Sequence, residues 1–405
     1  MSAGWEAVLE SCLRLVTPCG REVVARPYAL GRILAAPVMI DRDYPAGDLS
    51  MMDGYAIEAA TGGTLQVQGE NTPGRGPGDP LTTGTARRIF TGAELPAGAT
   101  RVIPQELVQR DGDIIRIVET PGTDFVRQRG SEGRRGAVAL AAGTRLGAAD
   151  LAILASVGAM QLEVTARPRI AHLVTGDEVM AHSEQGEPGT RIRDSNSDLV
   201  AAILRGVGQT VLDHRRVHDD RDATCHVVAE MAKDCDVLLI SGGASVGDHD
   251  HARAALESAG FRFEAHGLEV RPGRPIGLAR RGDQWAVALP GNPVSHLVAL
   301  HLFVLPLLLA LEGEPLRGPR LLRGVLDRPP GGGVPRRDTF WPSAMSWIDD
   351  AWRLTPCRFL SSGDLLGIAG ANALLLLRAG AALPQAGDAI FFLSLAPEFS
   401  NASPA

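Results

Sequence analysis

Asp236-Val237-Leu238-Leu239-Ile240-Ser241-Gly242-Gly243-Ala244-Ser245-Val246-Gly247-Asp248 is the stretch on which the fold turns. A short, fully apolar run with β-branched residues reads as a buried strand. Three glycines and two serines then follow, more than a plain turn requires. In open α/β sheets, ligands sit beyond the carboxyl ends of the strands. Glycines there let backbone N–H groups approach a phosphate, and a following helix N-terminus favours an anion. Asp248 and Asp250 add carboxylates suited to a divalent ion. The alternative is a tight turn with helix-capping acids.

The same alternation extends outward. Ile170 to Val174 reads as a buried strand, and Leu199 to Arg205 as a helix capped by Asp194-Ser195-Asn196-Ser197-Asp198. Extended residues from Val211, helices over 222–233 and 251–259, and a strand over Ala286 to Leu289 complete the pattern. Alternating strands and helices imply a parallel sheet covered on both faces. Leu297 to Leu311 is strongly apolar but contains His301 and Pro306. It falls short of the ~20 residues a bilayer needs, so it reads as a buried helix. On either side the character changes. Over 55–135, Gly and Pro punctuate short apolar runs, the look of a small β-barrel or sandwich. Pro and Gly at 327–335 read as a linker, and 337–395 as a second small β domain. The N-terminus has helical periodicity over 5–16, and 28–40 is a short helical or extended segment.

Composition excludes several classes. The 405 residues suggest two to four domains. A formal net charge of −7 gives no footprint for nucleic acid. An anionic ligand would be held by local arginines and backbone amides; Lys233 is the only lysine. Five widely spaced cysteines form no C-x-x-C pair and argue against a disulfide framework. A reducing cytoplasm fits best, with no apolar signal core at the N-terminus.

Four further strings carry candidate chemistry. Thr175-Gly176-Asp177-Glu178 follows a predicted strand, and its paired carboxylates suit Mg²⁺ or general-base work; such acids are as often merely solvated. Arg271-Pro272-Gly273-Arg274-Pro275 presents two guanidinium groups on a stiffened loop, suited to bidentate capture of an oxyanion. Leu289-Pro290-Gly291-Asn292-Pro293-Val294-Ser295 joins a strand to a helix, with Asn292 and Ser295 able to hydrogen-bond a heterocycle. Near the N-terminus, Ser50-Met51-Met52-Asp53-Gly54-Tyr55-Ala56 places an acid beside a glycine and two methionines, a candidate for a partly desolvated acid with a tuned pKa, though an ordinary turn carboxylate is the reading the residues alone favour. The histidines offer little at this level: His214 and His218 do not converge on a strand and its turn, and the Asp248-His249-Asp250-His251 turn suits Mg²⁺ as well as a transition metal.

Taken together, these strings resemble the molybdopterin molybdenumtransferase family, which includes bacterial MoeA and the C-terminal domain of gephyrin. The match runs through nearly the whole chain in the family's motif order. It takes in Ser50 to Ala56, Thr91-Gly92 to Ala99, Val126-Arg127 to Gly130 and Gly143 to Leu146, then the α/β strings above, and Arg337, Phe340, Ser362-Gly363 and Asn372. The resemblance implies an α/β multidomain protein. It expects an elongated helical segment (1–40 and 138–167), an inserted β domain (41–137), a molybdopterin-binding three-layer α/β domain (168–315) and a C-terminal β-barrel (316–400). It implies a cytoplasmic homodimer whose cleft takes Asp53 from the partner chain, with no membrane or nucleic-acid role. The substrates would be adenylyl-molybdopterin and molybdate, with Mg²⁺ assisting release of AMP, and a molybdopterin adenylyltransferase is an expected partner. In roles, Asp53, Asp177, Glu178 and Asp248 would be catalytic, with Glu178 and Asp248 on Mg²⁺. Asp194, Ser195, Asn196, Ser241, Gly242, Gly243, Ser245, Arg271, Arg274, Pro290, Gly291, Asn292, Pro293 and Ser295 would bind substrate. Arg337 and Ser362 would help place molybdate. The chain departs from the family at Arg271 and Arg274, where lysine is usual, at Gly47, at Ser131-Glu132 and at Pro342, and its segment 57–90 is shortened. A non-catalytic molybdopterin-binding or scaffolding relative is the competing reading, and an unrelated α/β nucleotide hydrolase a third.

Overall fold

The computed structural model describes residues 4–58, 63–180, 189, 191–243, 251–314 and 318–395. The chain forms two compact units, one of residues 23–164 and one of residues 1–22 with 165–405.

The larger unit is built on a six-stranded sheet in the order Val211–Val217, Ile170–Thr175, Val237–Ser241, Gln284–Leu289, Gly277–Arg281, Arg262–His266. The first four strands are parallel; Gly277–Arg281 runs against them, paired antiparallel to Gln284–Leu289 on one side and to Arg262–His266 on the other. Two adjacent inner strands, Ile170–Thr175 and Val237–Ser241, are buried along their whole length. That is why they read as mostly apolar runs rather than alternating ones, broken in Ile170–Thr175 by His172. Separate cores lie on the two faces. One holds Leu238, Ile240, Val228 and Leu256; the other holds Leu239, Val287 and the helical residues from Leu297 onward.

The apolar stretch forms one almost wholly buried helix over residues 293–311. Its middle, Leu300–Val304, widens into a π-helical turn. The physical reason is Pro306, which lacks an N–H and whose ring would press on the preceding turn of a regular α-helix.

The C-terminal strands close into a barrel. Asp338–Ile348, Ala351–Pro356, Leu321–Leu326, Ala389–Ser394 and Ala373–Leu377 pair in succession, and the last pairs back to the first. The barrel is not an isolated body. Phe340, Leu374, Leu376 and Leu393 share a core with the α/β layer, and Val270–Arg271 pairs with Asp338 and Thr339. The N-terminal helix Trp5–Leu13 joins the same core through Trp5, Leu9, Cys12 and Leu13. Trp5 meets Phe340 edge-on at 5.5 Å, and its indole N–H donates to Asp338. The amphipathic helix thus packs with the α/β unit, where its apolar stripe is completed.

The smaller unit carries a six-stranded sheet ordered Arg101–Pro104, Gly54–Ile57, Thr85–Ile89, Thr64–Asn71, Ile114–Ile117, Val108–Asp111. A further pair joins Val38–Met39 to Val138–Leu140, and the helix Ala148–Ser156 packs in a small core with Leu34, Leu146 and Leu162.

Candidate functional site

The parallel strands Ile170–Thr175, Val237–Ser241 and Gln284–Leu289 end level with one another, Val174 beside Ser241 and Ser241 beside Leu289. Beyond their carboxyl ends lies a cleft of about 360 Å³. It lies where the topology of an open α/β sheet places ligands.

Each strand contributes a loop. Gly242 and Gly243 have φ of +89° and +65°. A Cβ on Gly242 would lie 2.4 Å from the Thr175 carbonyl oxygen, so only glycine lets the two loops approach. From the neighbouring loop, Thr175 and Glu178 line the cleft. The Glu178 side chain folds back over Gly176, and its carboxylate makes no hydrogen bond or ion pair among the described residues. Asp177 points elsewhere: it accepts from His218 Nδ1 at 2.8 Å and from the Asp219 amide. The His218 bond is the larger of the two causes holding its pKa below the usual carboxylate range.

Asp194, Ser195 and Asn196 line the same cleft. Asp194 is buried and caps the helix Asn196–Gly206, accepting from the Ser197 amide at 3.0 Å and the Ser197 hydroxyl at 2.6 Å. Asn196 Nδ2 donates to the Gly291 carbonyl at 2.8 Å, while its buried Oδ1 has no partner. That fixed amide leaves an acceptor with no donor among the described residues. Gly291, Asn292 and Pro293 form the third wall, and Gly363 and Leu365 of the barrel the fourth. Asn292 Nδ2 donates to the Ser362 hydroxyl at 2.8 Å, and the Val294 amide to the Ser362 carbonyl. Gly243, Pro290 and Ser295 adjoin these lining residues in sequence without lining the cleft. Ser245 and Asp248 lie outside the described residues.

The arginine loop belongs to a different cleft. Arg271 lines a space of about 610 Å³ with Arg328, Gly331 to Gly333, Thr339 and Arg358. Arg274 is exposed and lines neither cleft. Arg337 approaches Glu269 at 3.8 Å, next to the pairing of Val270 with Asp338. Of the residues expected to bind substrate, Arg271 alone lines the second cleft, beside Arg328 and Arg358, while Gly243, Arg274, Pro290 and Ser295 line neither.

Asp53 lies in the smaller unit, before the strand Gly54–Ile57. Its Oδ1 accepts from both the amide and the hydroxyl of Thr91 at 2.8 Å. These bonds outweigh the effect of burial and hold the carboxyl below its usual range. Asp53 is thus a fixed carboxylate, with Oδ2 free of these bonds.

Two residues that sequence reasoning passed over lie directly beneath the cleft. His172 Nε2 is 2.6 Å from Ser241 Oγ, and His296 Nε2 is 2.7 Å from it on the other side. Burial pushes His172 down to about 3 and His296 down to about 4, so both rings are neutral. A histidine inside Ile170-Ala171-His172-Leu173-Val174 was the available signal, since a polar side chain in a buried strand requires a partner.

Comparison with known proteins bears on the whole chain. The MoeA N-terminal region (domain I and II) matches residues 4–158, and a probable molybdopterin binding domain matches residues 171–310. A molybdopterin molybdenumtransferase of Nostoc sp. is 33% identical over 92% of this chain and 88% of its own. Molybdopterin molybdenumtransferase 2 of Mycobacterium tuberculosis is 33% identical over 74% of this chain and 78% of its own. Among solved structures, a molybdopterin biosynthesis MoeA protein of Pyrococcus horikoshii superposes with a TM-score of 0.81 at 26% identity, over 98% of this chain and 99% of that one.

Proposed function

Because the chain belongs to the molybdopterin molybdenumtransferase family, transferases of molybdenum cofactor biosynthesis, we propose that it inserts molybdate into adenylyl-molybdopterin with release of AMP. The cleft at the strand ends holds the adenylylated pterin. The Gly242 amide is held by the Leu289 carbonyl, so the turn offers the Gly243 amide to its phosphate end, and Asn196 Oδ1 accepts from the heterocycle. The second cleft receives molybdate, a dianion that Arg271, Arg328 and Arg358 attract at short range despite the negative net charge of the whole. The observation that supports this most is the convergence of three loop motifs on one cleft, with an unpartnered acceptor fixed inside it.

Glu178 suits a divalent ion. Mg²⁺ is commonly held by one or two carboxylates together with substrate phosphates, and Glu178 is an unpaired carboxylate at this cleft. Bound there, Mg²⁺ would neutralise charge at the pyrophosphate. Asp177, already held by His218, serves that loop's shape instead. Asp53, supplied by the partner chain of a homodimer, presents a fixed carboxylate that orients water toward the phosphoanhydride. Water adds to a phosphorus as the bridging P–O bond breaks, AMP leaves and the pterin keeps its own phosphate; the two dithiolene thiols then give up their protons and displace one oxo group of molybdate, which departs as water. The setting is cytoplasmic, with a molybdopterin adenylyltransferase supplying the substrate.

The test is incubation of the purified protein with adenylyl-molybdopterin, molybdate and Mg²⁺, following AMP and molybdenum-loaded pterin together. Equal amounts of both are expected. Pterin binding without AMP release would make the chain a non-catalytic binding relative.

A further inference from the structure

Ser241 opens the glycine turn, and its hydroxyl is bracketed by two histidine nitrogens. His172 comes from the strand Ile170–Thr175, which leads to the Thr175 to Glu178 loop. His296 comes from the first turn of the helix after Asn292. The three residues thus join, from below, the three loops that wall the cleft. The bonds are short, and Ser241 is only 1% exposed.

The hydroxyl has one proton and can accept two hydrogen bonds. Two arrangements satisfy both neutral rings. In one, a histidine donates to Ser241 and Ser241 donates to the other histidine. In the other, both histidines donate and the serine proton points elsewhere, toward a ligand. The second leaves a buried hydroxyl proton without a partner among the described residues, which is costly. The first gives the hydroxyl and both Nε2 atoms a partner. Asp194 is the anion that acts on both rings, and the exposed His214 lies 5.1 Å from His172.

We propose that His172 and His296 are positioning residues that commit the Ser241 hydroxyl, so that this position serves the ligand through the backbone of the turn and not through its side chain. This rests on the pterin reading of the cleft, but part of it can be tested without any ligand. In the unaltered protein labelled with ¹⁵N-histidine, His172 and His296 are expected as opposite neutral tautomers. His296→Phe, which keeps a ring but removes the nitrogen, should speed deuterium exchange at the Gly242 and Gly243 amides about tenfold. His296→Gln, which restores a polar atom near Nε2, should return it to near the parent rate. Affinity for molybdopterin should follow the same order. In a His172→Phe/His296→Phe background, Ser241→Ala should cause no further loss. Two Nε2–H tautomers, or a Ser241→Ala loss of equal size in both backgrounds, would overturn the assignment. If the parent fails to bind molybdopterin, the pterin reading falls, while tautomers and exchange still decide the positioning role.

Discussion

Arg271 and Arg274 stand on one loop, yet only Arg271 lines the second cleft. Arg271→Ala should therefore weaken molybdate binding by about one to two powers of ten, the worth of a charge-assisted hydrogen bond of roughly 1.5–3 kcal/mol. Arg274→Ala should do less, and Arg271→Lys should be mild because the charge remains. Calorimetry reads the affinities, and an unchanged melting temperature shows the loss to be local. Equal losses at both positions would mean that the loop acts only through its general charge. At this scale the sequence was partly legible. The residue types for each role stand out, because glycines at strand ends and arginines on a stiff loop are local signals. The division of those residues between two clefts is not local. It depends on Val270-Arg271 pairing with a barrel strand. The partnership of His172 with His296 through Ser241 was equally hidden, since neither histidine has a local pattern that announces the other.

The turn at the end of Val237–Ser241 is the element on which the site depends. Gly242→Ala would place a Cβ 2.4 Å from the Thr175 carbonyl at a φ of +89°. Backbone strain alone costs about 1–3 kcal/mol, and the contact adds to it. A lowered urea midpoint is expected, with accelerated exchange in the Thr175 to Glu178 loop, which must move to make room. A fully stable variant would show that the two loops do not touch as described. The strands themselves were readable because a parallel sheet buried on both faces demands mostly apolar runs. The helix over residues 293–311 was readable as a buried helix, but its π-helical turn was not. Its cause, Pro306, is visible in the sequence, whereas the choice among a kink, a break and a widened turn is made by the surrounding core.

In the larger unit, burial holds three histidines, His172, His296 and His301, below the usual imidazole range, and this links stability to pH. Above about 6.5, histidines are neutral in both folded and unfolded chains, and the stabilisation is complete. As pH falls, the unfolded chain takes up protons that His172 and His296 refuse until about 3 and about 4. Stability should therefore decline from about pH 6.5 downward, by about 2 kcal/mol for each of these two histidines at pH 5. Urea denaturation at pH 7.5 and pH 5 measures this, and the His172→Phe/His296→Phe protein should show a correspondingly flatter dependence. The proposed supply of Asp53 by a partner chain requires a dimer. Sedimentation at micromolar concentration should show about twice the 42.7 kDa chain mass, whereas a monomer alone would remove the shared cleft. The N-terminal helix shows where sequence reading stops at this scale. Its amphipathic stripe was evident, but the surface that completes the stripe lies in the α/β unit and barrel. The most direct measurement is AMP release from adenylyl-molybdopterin by the purified protein, with and without molybdate. AMP should appear in step with molybdenum-loaded pterin and depend on molybdate and Mg²⁺. Tight pterin binding with no AMP under those conditions would contradict a transferase that works through these two clefts.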